Sequence, residues 1–525
     1  MKGAGQLMTP ITRRGFGTLA MGGSAYLLLN GCAARAIDQG FPAGVGPVAQ
    51  PPYNDGLPRG EPAAFGVSSD GVFAFLEDVG KAGLELHSFM LMRRGHVVAE
   101  GWWWPYAPGR IHITHSLTKS VTAVAAGLAI DEGKFGFDDK VVSFFPQYVP
   151  SDASANMRAM TVRDLLNMET GHDQETSGSL WRPITTSWVA EFFKVPVPHQ
   201  PGTHFQYTSA ASFMISAIVS RTADQSMADY LKPRFFEPLG IDRWHWDTSP
   251  GGISPGGNGL TWTTSASVKL GAVHASGGMW NGNRVLSEQW VRAATTKQSS
   301  GDADGAYGYQ WWMGPGTAYY ALGLFTQLSI VFPEQDAVLA IFSAINGSKK
   351  LKPLIWKHFP AAFNDEASDD AALRNRTRDL RLLPVLAPTV APAPSASRSQ
   401  RFAATTNDQS VEWMSFDIGD DVVTYRMRDD GGEHVIAAGL REYLEQSTSM
   451  TGHRLHHEYR PKQQKVVAGA RWRSPTVLEM TWQFVETAFR DSVICTFSDG
   501  KVAIDRSVNL NSAETKLPML IGTAA

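Results

Sequence analysis

At 525 residues the chain is longer than a single hydrophobic core ordinarily serves, so two folded units with connecting segments are expected. Its 43% hydrophobic and 18% charged residues exclude extensive disorder. A net charge of -3, with no long basic run and no zinc-ligand or recognition motif, excludes an ordinary nucleic-acid binder.

The first 32 residues read as an export signal. Thr12-Arg-Arg-Gly-Phe16 has the form of a twin-arginine signal, and the weakly apolar run from Phe16 to Leu29 is too short and too interrupted to span a membrane. It ends in Leu29-Asn-Gly-Cys32, the pattern of a bacterial lipobox, so Cys32 is the expected lipidation site and the membrane the expected partner. The alternative is a cleaved signal with a chance cysteine. The only other cysteine, Cys495, lies in a context that makes pairing with Cys32 implausible. Residues 33–65, rich in Pro and Gly from Phe41 to Pro62, read as a tether.

Structured sequence begins with an amphipathic segment near Val72 to Ala82. Two apolar runs, Ser88 to Met92 and His96 to Trp102, flank Arg93-Arg-Gly95 and predict a β-hairpin. Thr118 to Glu132, rich in Ala, Val and Leu and closed by Gly133, predicts a buried helix. Helical patterns follow at Val162 to Met168 and Ser209 to Arg221, and Gly256-Gly-Asn-Gly259 marks a loop. Two strands, Leu328 to Phe332 and Ala337 to Phe342, close this part. Strands at both ends of a helical middle predict an α+β domain over 66–363, its antiparallel sheet drawn from both termini. Residues 364–400, Asp-rich and then Pro-rich, read as a linker. Alternating runs such as Met480, Trp482, Phe484 and Val493, Cys495, Phe497, separated by Asp-Gly turns, predict a small antiparallel β domain over 401–525, either a lipocalin-like barrel or a sandwich. On this pattern His456 and His457 point to opposite faces of a strand and do not chelate together, so no metal site is expected.

The chemistry is carried by His115-Ser-Leu-Thr-Lys-Ser120. A serine hydroxyl needs a base within hydrogen-bond reach, and a lysine serves when burial lowers its pKa. Three residues apart at the start of a helix, Ser116 and Lys119 share a face. The helix N-terminus favours the negative charge of acyl transfer and brings the Ser116 N–H toward it. The bare Ser-x-x-Lys pattern recurs at Ser498 and Lys501, where Asp-Gly marks a hairpin, so the spacing alone is weak. Two further segments raise Ser116 above that decoy: Tyr207-Thr-Ser209 before an apolar helix, and Ala321-Leu-Gly323-Leu324 before a strand. His115, adjacent to Ser116, does not face it and is not its base. Part of Trp102-Trp-Trp104 at most faces a cleft, and packing is the default there.

In their order these segments resemble the serine β-lactamase and penicillin-binding superfamily, in its class C-like branch of DD-peptidases, carboxylesterases and 6-aminohexanoate-dimer hydrolases. Thr161-Val-Arg-Asp-Leu-Leu-Asn-Met-Glu-Thr-Gly171, Phe236-Glu-Pro-Leu-Gly240 and Tyr307-Gly-Tyr-Gln-Trp-Trp312 are similar to its signatures. The resemblance implies a β-lactamase/transpeptidase-like domain with a helical subdomain. It implies Ser116 as nucleophile, Lys119 and Tyr207 as shared base and acid, the N–H groups of Ser116 and Leu324 as oxyanion hole, and no cofactor or metal. Ser209 stands where the branch commonly has Asn, and Ala321-Leu-Gly323 where peptidoglycan enzymes have Lys-Thr-Gly or His-x-Gly. Loss of that cation and amide from the substrate pocket weakens the grip on a peptide carboxylate and favours an ester or non-peptidic amide as small-molecule substrate. A DD-peptidase or weak β-lactamase is the alternative within the fold, and a non-catalytic envelope binding protein the alternative outside catalysis.

Overall fold

The structure, a computed structural model, describes residues 44–50, 52–177, 180–364, 369–387, 398–459 and 461–525. The expected signal and Cys32 lie outside the described residues. Among the described residues no helix is long and apolar enough to cross a membrane.

Helix α1 (Ser69–Lys81) is capped by the Ser68 hydroxyl, which accepts from the Gly71 N–H, and buries Val72, Phe75, Leu76 and Val79 on one face. Strands β1 (Leu86–Arg93) and β2 (His96–Trp102) form the expected hairpin, with Arg94 and Gly95 both at positive φ, as a tight turn matched to strand twist requires. Helix α2 (Thr118–Asp131) is buried on nearly every side, and α3 (Val162–Leu166) opens with a Thr161/Asp164 capping box. Helices α4 (Ser209–Ala223) and α5 (Thr264–Ala275) follow. Strands β3 (Ser299–Asp302), β4 (Gly305–Tyr307), β5 (Trp312–Met313), β6 (Tyr319–Gly323), β7 (Gln327–Phe332) and β8 (Ala337–Ser343) complete an antiparallel sheet of order β2-β1-β8-β7-β6-β5-β4-β3. The N-terminal hairpin therefore pairs with the last strand, as expected from the two ends of this domain. Helix α6 (Lys352–Ala362) packs on α1, and α5 covers the sheet so closely that a Cβ at Gly271 would lie 2.5 Å from Val338.

Two stretches differ from expectation. The described part of the 33–65 tether is docked: Gly46–Pro47 pairs as a short strand, and Arg59 joins Asp55 and Glu100. The 364–400 linker contains helix α7 (Asp370–Arg378), which packs on α1, and residues 380–383 run along Trp104 by backbone hydrogen bonds. Leu373, Leu380 and Leu383 are the reason: a few buried leucines anchor a segment whose average composition is that of a linker.

The C-terminal strands are β9 (Arg398–Ala404), β10 (Trp413–Ile418), β11 (Val422–Asp429), β12 (Gly432–Gly439), β13 (Leu444–Thr448), β14 (Gln464–Ser474), β15 (Val477–Phe484), β16 (Arg490–Ser498), β17 (Lys501–Val508) and β18 (Leu520–Ala524). Of the two expected forms they take the barrel. Antiparallel neighbours run from β12 back to β9, on to β18, and down to β14, which returns to β12 at Gly439 and Gly469. At the seam the Gln446 side chain substitutes for a strand, donating to the Ala437 carbonyl at 2.6 Å and accepting from its N–H at 2.7 Å. Closure removes exposed edges. The barrel interior holds Met480, Trp482, Phe484, Val493 and the free, buried Cys495. Ser498 and Lys501 face each other across a hairpin rather than at the head of a helix. His456 and His457 do not lie on a strand as expected; His456 closes a short 3-10 turn (His453–His456) and His457 follows it, because left-handed residues at His453 and His457 break the extended pattern.

Candidate active site

Ser116 lies in a 3-10 turn (His115–Leu117) that runs directly into α2. It is half-buried while both neighbours are buried, so it is the residue this turn presents. Lys119, one turn on, is 1% exposed. Its Nζ lies 3.2 Å from Ser116 Oγ, 3.0 Å from Ser209 Oγ and 2.9 Å from the Gly257 carbonyl. A neutral amine has two N–H donors and one lone pair. The ammonium form donates to all three oxygens; on losing a proton the amine keeps Gly257 and Ser209 as acceptors and turns its lone pair to the Ser116 hydroxyl. Burial lowers the Lys119 pKa from 10.5 to about 8, with the Glu175 carboxylate opposing it.

Each partner reaches Lys119 for a local reason. Gly257 does so because its loop lies against α4: a Cβ there would sit 2.8 Å from Ser209 Cβ. Ser209 opens α4 beneath the Thr208 cap, and its N–H donates to both Glu175 oxygens at 3.1 and 2.9 Å. A carboxylate at a helix N-terminus is favoured by the dipole. Tyr207 stacks on Trp312 at 5.4 Å between centroids and meets Tyr307 edge-on, with the Lys119 amine 4.8 Å from its ring centre. Burial pushes its hydroxyl well above the ordinary value, and hydrogen bonding to Ser116 acts in the opposite direction.

Strand β6 forms the other wall. A Cβ at Gly323 would lie 2.0 Å from the Thr114 carbonyl, so only glycine lets β6 approach the serine turn this closely. Leu324, 37% exposed, follows it at the open edge. Ala321 is buried and supplies no charge. Gly323→Ala is therefore expected to lose about 1–3 kcal/mol of stability from overpacking and to lower turnover by displacing the serine turn. Thermal denaturation and steady-state kinetics measure both.

The structure thus brings Ser116, Lys119, Tyr207 and Ser209 together, with Gly323 against the turn that carries the serine and Leu324 next to Gly323 in the chain. Three contributors escaped sequence reasoning. Glu175 lies in a loop 34 residues before Ser209 and belongs to no motif. The Gly257 carbonyl is a backbone atom, signalled only by the glycine cluster. Gln310 is buried, and its amide donates to the Leu165 and Leu166 carbonyls, while its Oε1 accepts from Ser212 and its carbonyl accepts from Ser120. It knits α2, α3 and α4 together. Its segment, Tyr307 to Trp312, resembles a family signature that carries no role for the side chain.

A serine and a buried lysine at the head of a helix, beside an antiparallel sheet, define the serine-hydrolase class of α+β folds. The chain belongs to the beta-lactamase family, whose model matches residues 69–358. It is 25% identical over 252 residues to the 6-aminohexanoate-dimer hydrolase of Paenarthrobacter ureafaciens, covering 43% of this chain and 63% of that one. The match thus spans less than two thirds of that relative's length. The structure of a putative 6-aminohexanoate-dimer hydrolase from Bacillus anthracis superposes with a TM-score of 0.50 at 15% identity, over 60% of this chain and 89% of the other. That likeness is one of fold.

Proposed function

We propose that the protein hydrolyses an ester or non-peptidic amide through an acyl-enzyme on Ser116. The observation that carries this reading is the Lys119 amine, buried, 3.2 Å from Ser116 Oγ and with its pKa lowered to about 8. At pH 7 about a tenth of such a lysine is neutral, against about one part in three thousand at its ordinary value. The Tyr207 hydroxyl is pushed the other way, so tyrosinate is scarce. Lys119 is accordingly the base and Tyr207 the proton carrier to the leaving group.

Ser116 Oγ attacks the acyl carbon while Lys119 Nζ takes its proton. The carbonyl electrons move onto oxygen, held by the N–H groups of Ser116 and Leu324. Collapse restores the carbonyl and breaks the bond to the leaving alkoxide or amine, which takes a proton through Tyr207 from Lys119. Water, deprotonated by the same amine, then releases the acid and regenerates Ser116.

The substrate class follows from Ala321 and Ser209. Neither supplies the cation or amide that grips a peptide carboxylate, and Ser209 is engaged with Lys119 instead. The relative named for 6-aminohexanoate-dimer hydrolysis supports a linear amide beside simple esters. Expected is turnover of p-nitrophenyl esters of short acids without labelling by a fluorescent penicillin. Penicillin labelling at Ser116 with no esterase activity would reverse the assignment toward a peptidoglycan enzyme, and inertness to both would favour a binding protein. Export by the twin-arginine route and anchorage through lipidated Cys32 belong to the same proposal, carried by the two N-terminal motifs. Radiolabelled palmitate incorporated by the wild type and lost in Cys32→Ala tests it.

Burial sets the working pH in this scheme, and Glu175 opposes it. Its charge favours the Lys119 ammonium, so Glu175→Gln removes that support and lowers the Lys119 pKa. The alkaline rise of kcat/KM is expected to move to lower pH in that variant, measured as a pH-rate profile on one ester.

A further inference from the structure

Both amides assigned to the oxyanion hole adjoin a non-glycine residue in the left-handed region. His115, at φ 49, precedes Ser116, and Phe325, at φ 61, follows Leu324. Such backbone persists only where its surroundings hold it. Here the surroundings belong to the barrel. The Tyr459 hydroxyl shares a 3.2 Å hydrogen bond with His115 Nδ1. Phe325 packs in the barrel's apolar cluster, edge-on to Phe489 at 5.6 Å and to His457 at 5.3 Å. His115 and Phe325 also meet each other at 5.4 Å.

The barrel side of this contact is itself fixed. His456 stacks on Phe489 at 4.4 Å and bonds Asp491 at 2.7 Å, and Asp491 accepts from Arg506 at 2.7 Å, all of them buried. From the hydrolase side, Arg182 donates to the His457 carbonyl and lies 3.7 Å from the centre of the Tyr459 ring. Burial, with His457 and Arg182 adding to it, holds His115 neutral, so its ring is a packing and hydrogen-bonding element rather than a charge.

We propose that the barrel is a positioning domain for the oxyanion hole: Tyr459 braces His115, and Phe489 with His457 braces Phe325, so that one rigid surface sets the spacing of the two N–H donors. This rests on the assignment of those donors under the proposed function. Tyr459 and Phe489 are positioning residues that act through His115 and Phe325. The barrel then has a reason to be fused to the hydrolase domain: the two donors come from segments more than two hundred residues apart in the chain, and a surface touching both fixes their separation.

The test uses the full chain with Tyr459→Phe, Tyr459→Ala and Phe489→Leu. Expected for Tyr459→Ala is a loss of about tenfold in kcat with KM within about twofold, because a displaced donor forfeits part of what a deleted one does. Tyr459→Phe, which keeps the ring, is expected to recover part of that loss. Hydrogen exchange of peptides covering 112–118 and 320–327 is expected to quicken in the Ala variant. If Tyr459→Ala does not fold, Phe489→Leu carries the same expectations for the 320–327 segment. Wild-type kcat in a folded Tyr459→Ala protein, a loss confined to KM, or unchanged exchange in both segments would each overturn the proposal. A wild type inert toward esters, with exchange still quickened in the variants, would end the catalytic reading and leave the brace standing.

Discussion

Replacing Lys119 with Met is expected to lower kcat/KM for an activated ester by about a thousandfold or more, because the substitution keeps an unbranched apolar stem, one atom shorter, and removes the basic amine. The protein should remain folded. Lys119 is buried, and burial disfavours its charge, so an apolar replacement relieves that cost and offsets the hydrogen bonds lost at Gly257 and Ser209. The melting temperature is expected within a few degrees of wild type, which separates loss of chemistry from loss of structure. Lys119→Arg should not rescue activity, since a guanidinium does not deprotonate in the working range. The wild-type profile has a definite sign. Below about pH 8 the amine is protonated and cannot accept from Ser116; above it the base is free, so kcat/KM rises through about 8. With the Tyr207 hydroxyl raised well above its ordinary value, no descending limb from that residue is expected before about pH 10.

Ser116→Ala has the largest expected effect. Removing the nucleophile eliminates the covalent route, and the fall in kcat is expected at about 10⁴ to 10⁶, with the remainder arising from binding and the donor amides. Residues that act as a unit are not additive. The Ser116→Ala/Lys119→Met double variant is therefore expected to be no slower than Ser116→Ala alone. A double variant slower by a further factor of a thousand would mean that Lys119 acts on substrate or water independently of Ser116. Steady-state rates at high enzyme concentration make the comparison.

Much of this fold was readable before the structure, for identifiable reasons. The β1–β2 hairpin was marked by Arg93-Arg-Gly95, and α2 by an Ala-rich run ending at Gly133, because turns and caps restrict residue type locally. Alternation along 480–497 showed β structure in the C-terminal part but left barrel and sandwich open, since closure depends on which distant strands pair and on the Gln446 seam. The described parts of the tether and linker dock on the fold because a few anchoring residues, Arg59 and Leu373 among them, outweigh the average composition. In the candidate site, the closeness of Ser116, Lys119 and Tyr207 was legible because the chemistry proposed for them demands particular side chains at fixed places in the chain. Glu175 and the Gly257 carbonyl were not, because a loop carboxylate and a backbone oxygen leave no pattern in sequence. Tyr459 was hidden for a different reason: its importance lies wholly in where the barrel sets it, against His115.

The central claim is that Ser116 is an activated nucleophile. A fluorophosphonate probe tests it directly, because it marks only a serine whose proton has an acceptor. Intact-mass analysis of the wild type after exposure is expected to show one added probe mass, mapped by peptide sequencing to the segment containing Ser116. The increment should be absent from Ser116→Ala and strongly slowed in Lys119→Met. No increment on the folded wild type, or a label on any other serine that persists in Ser116→Ala, would contradict the account.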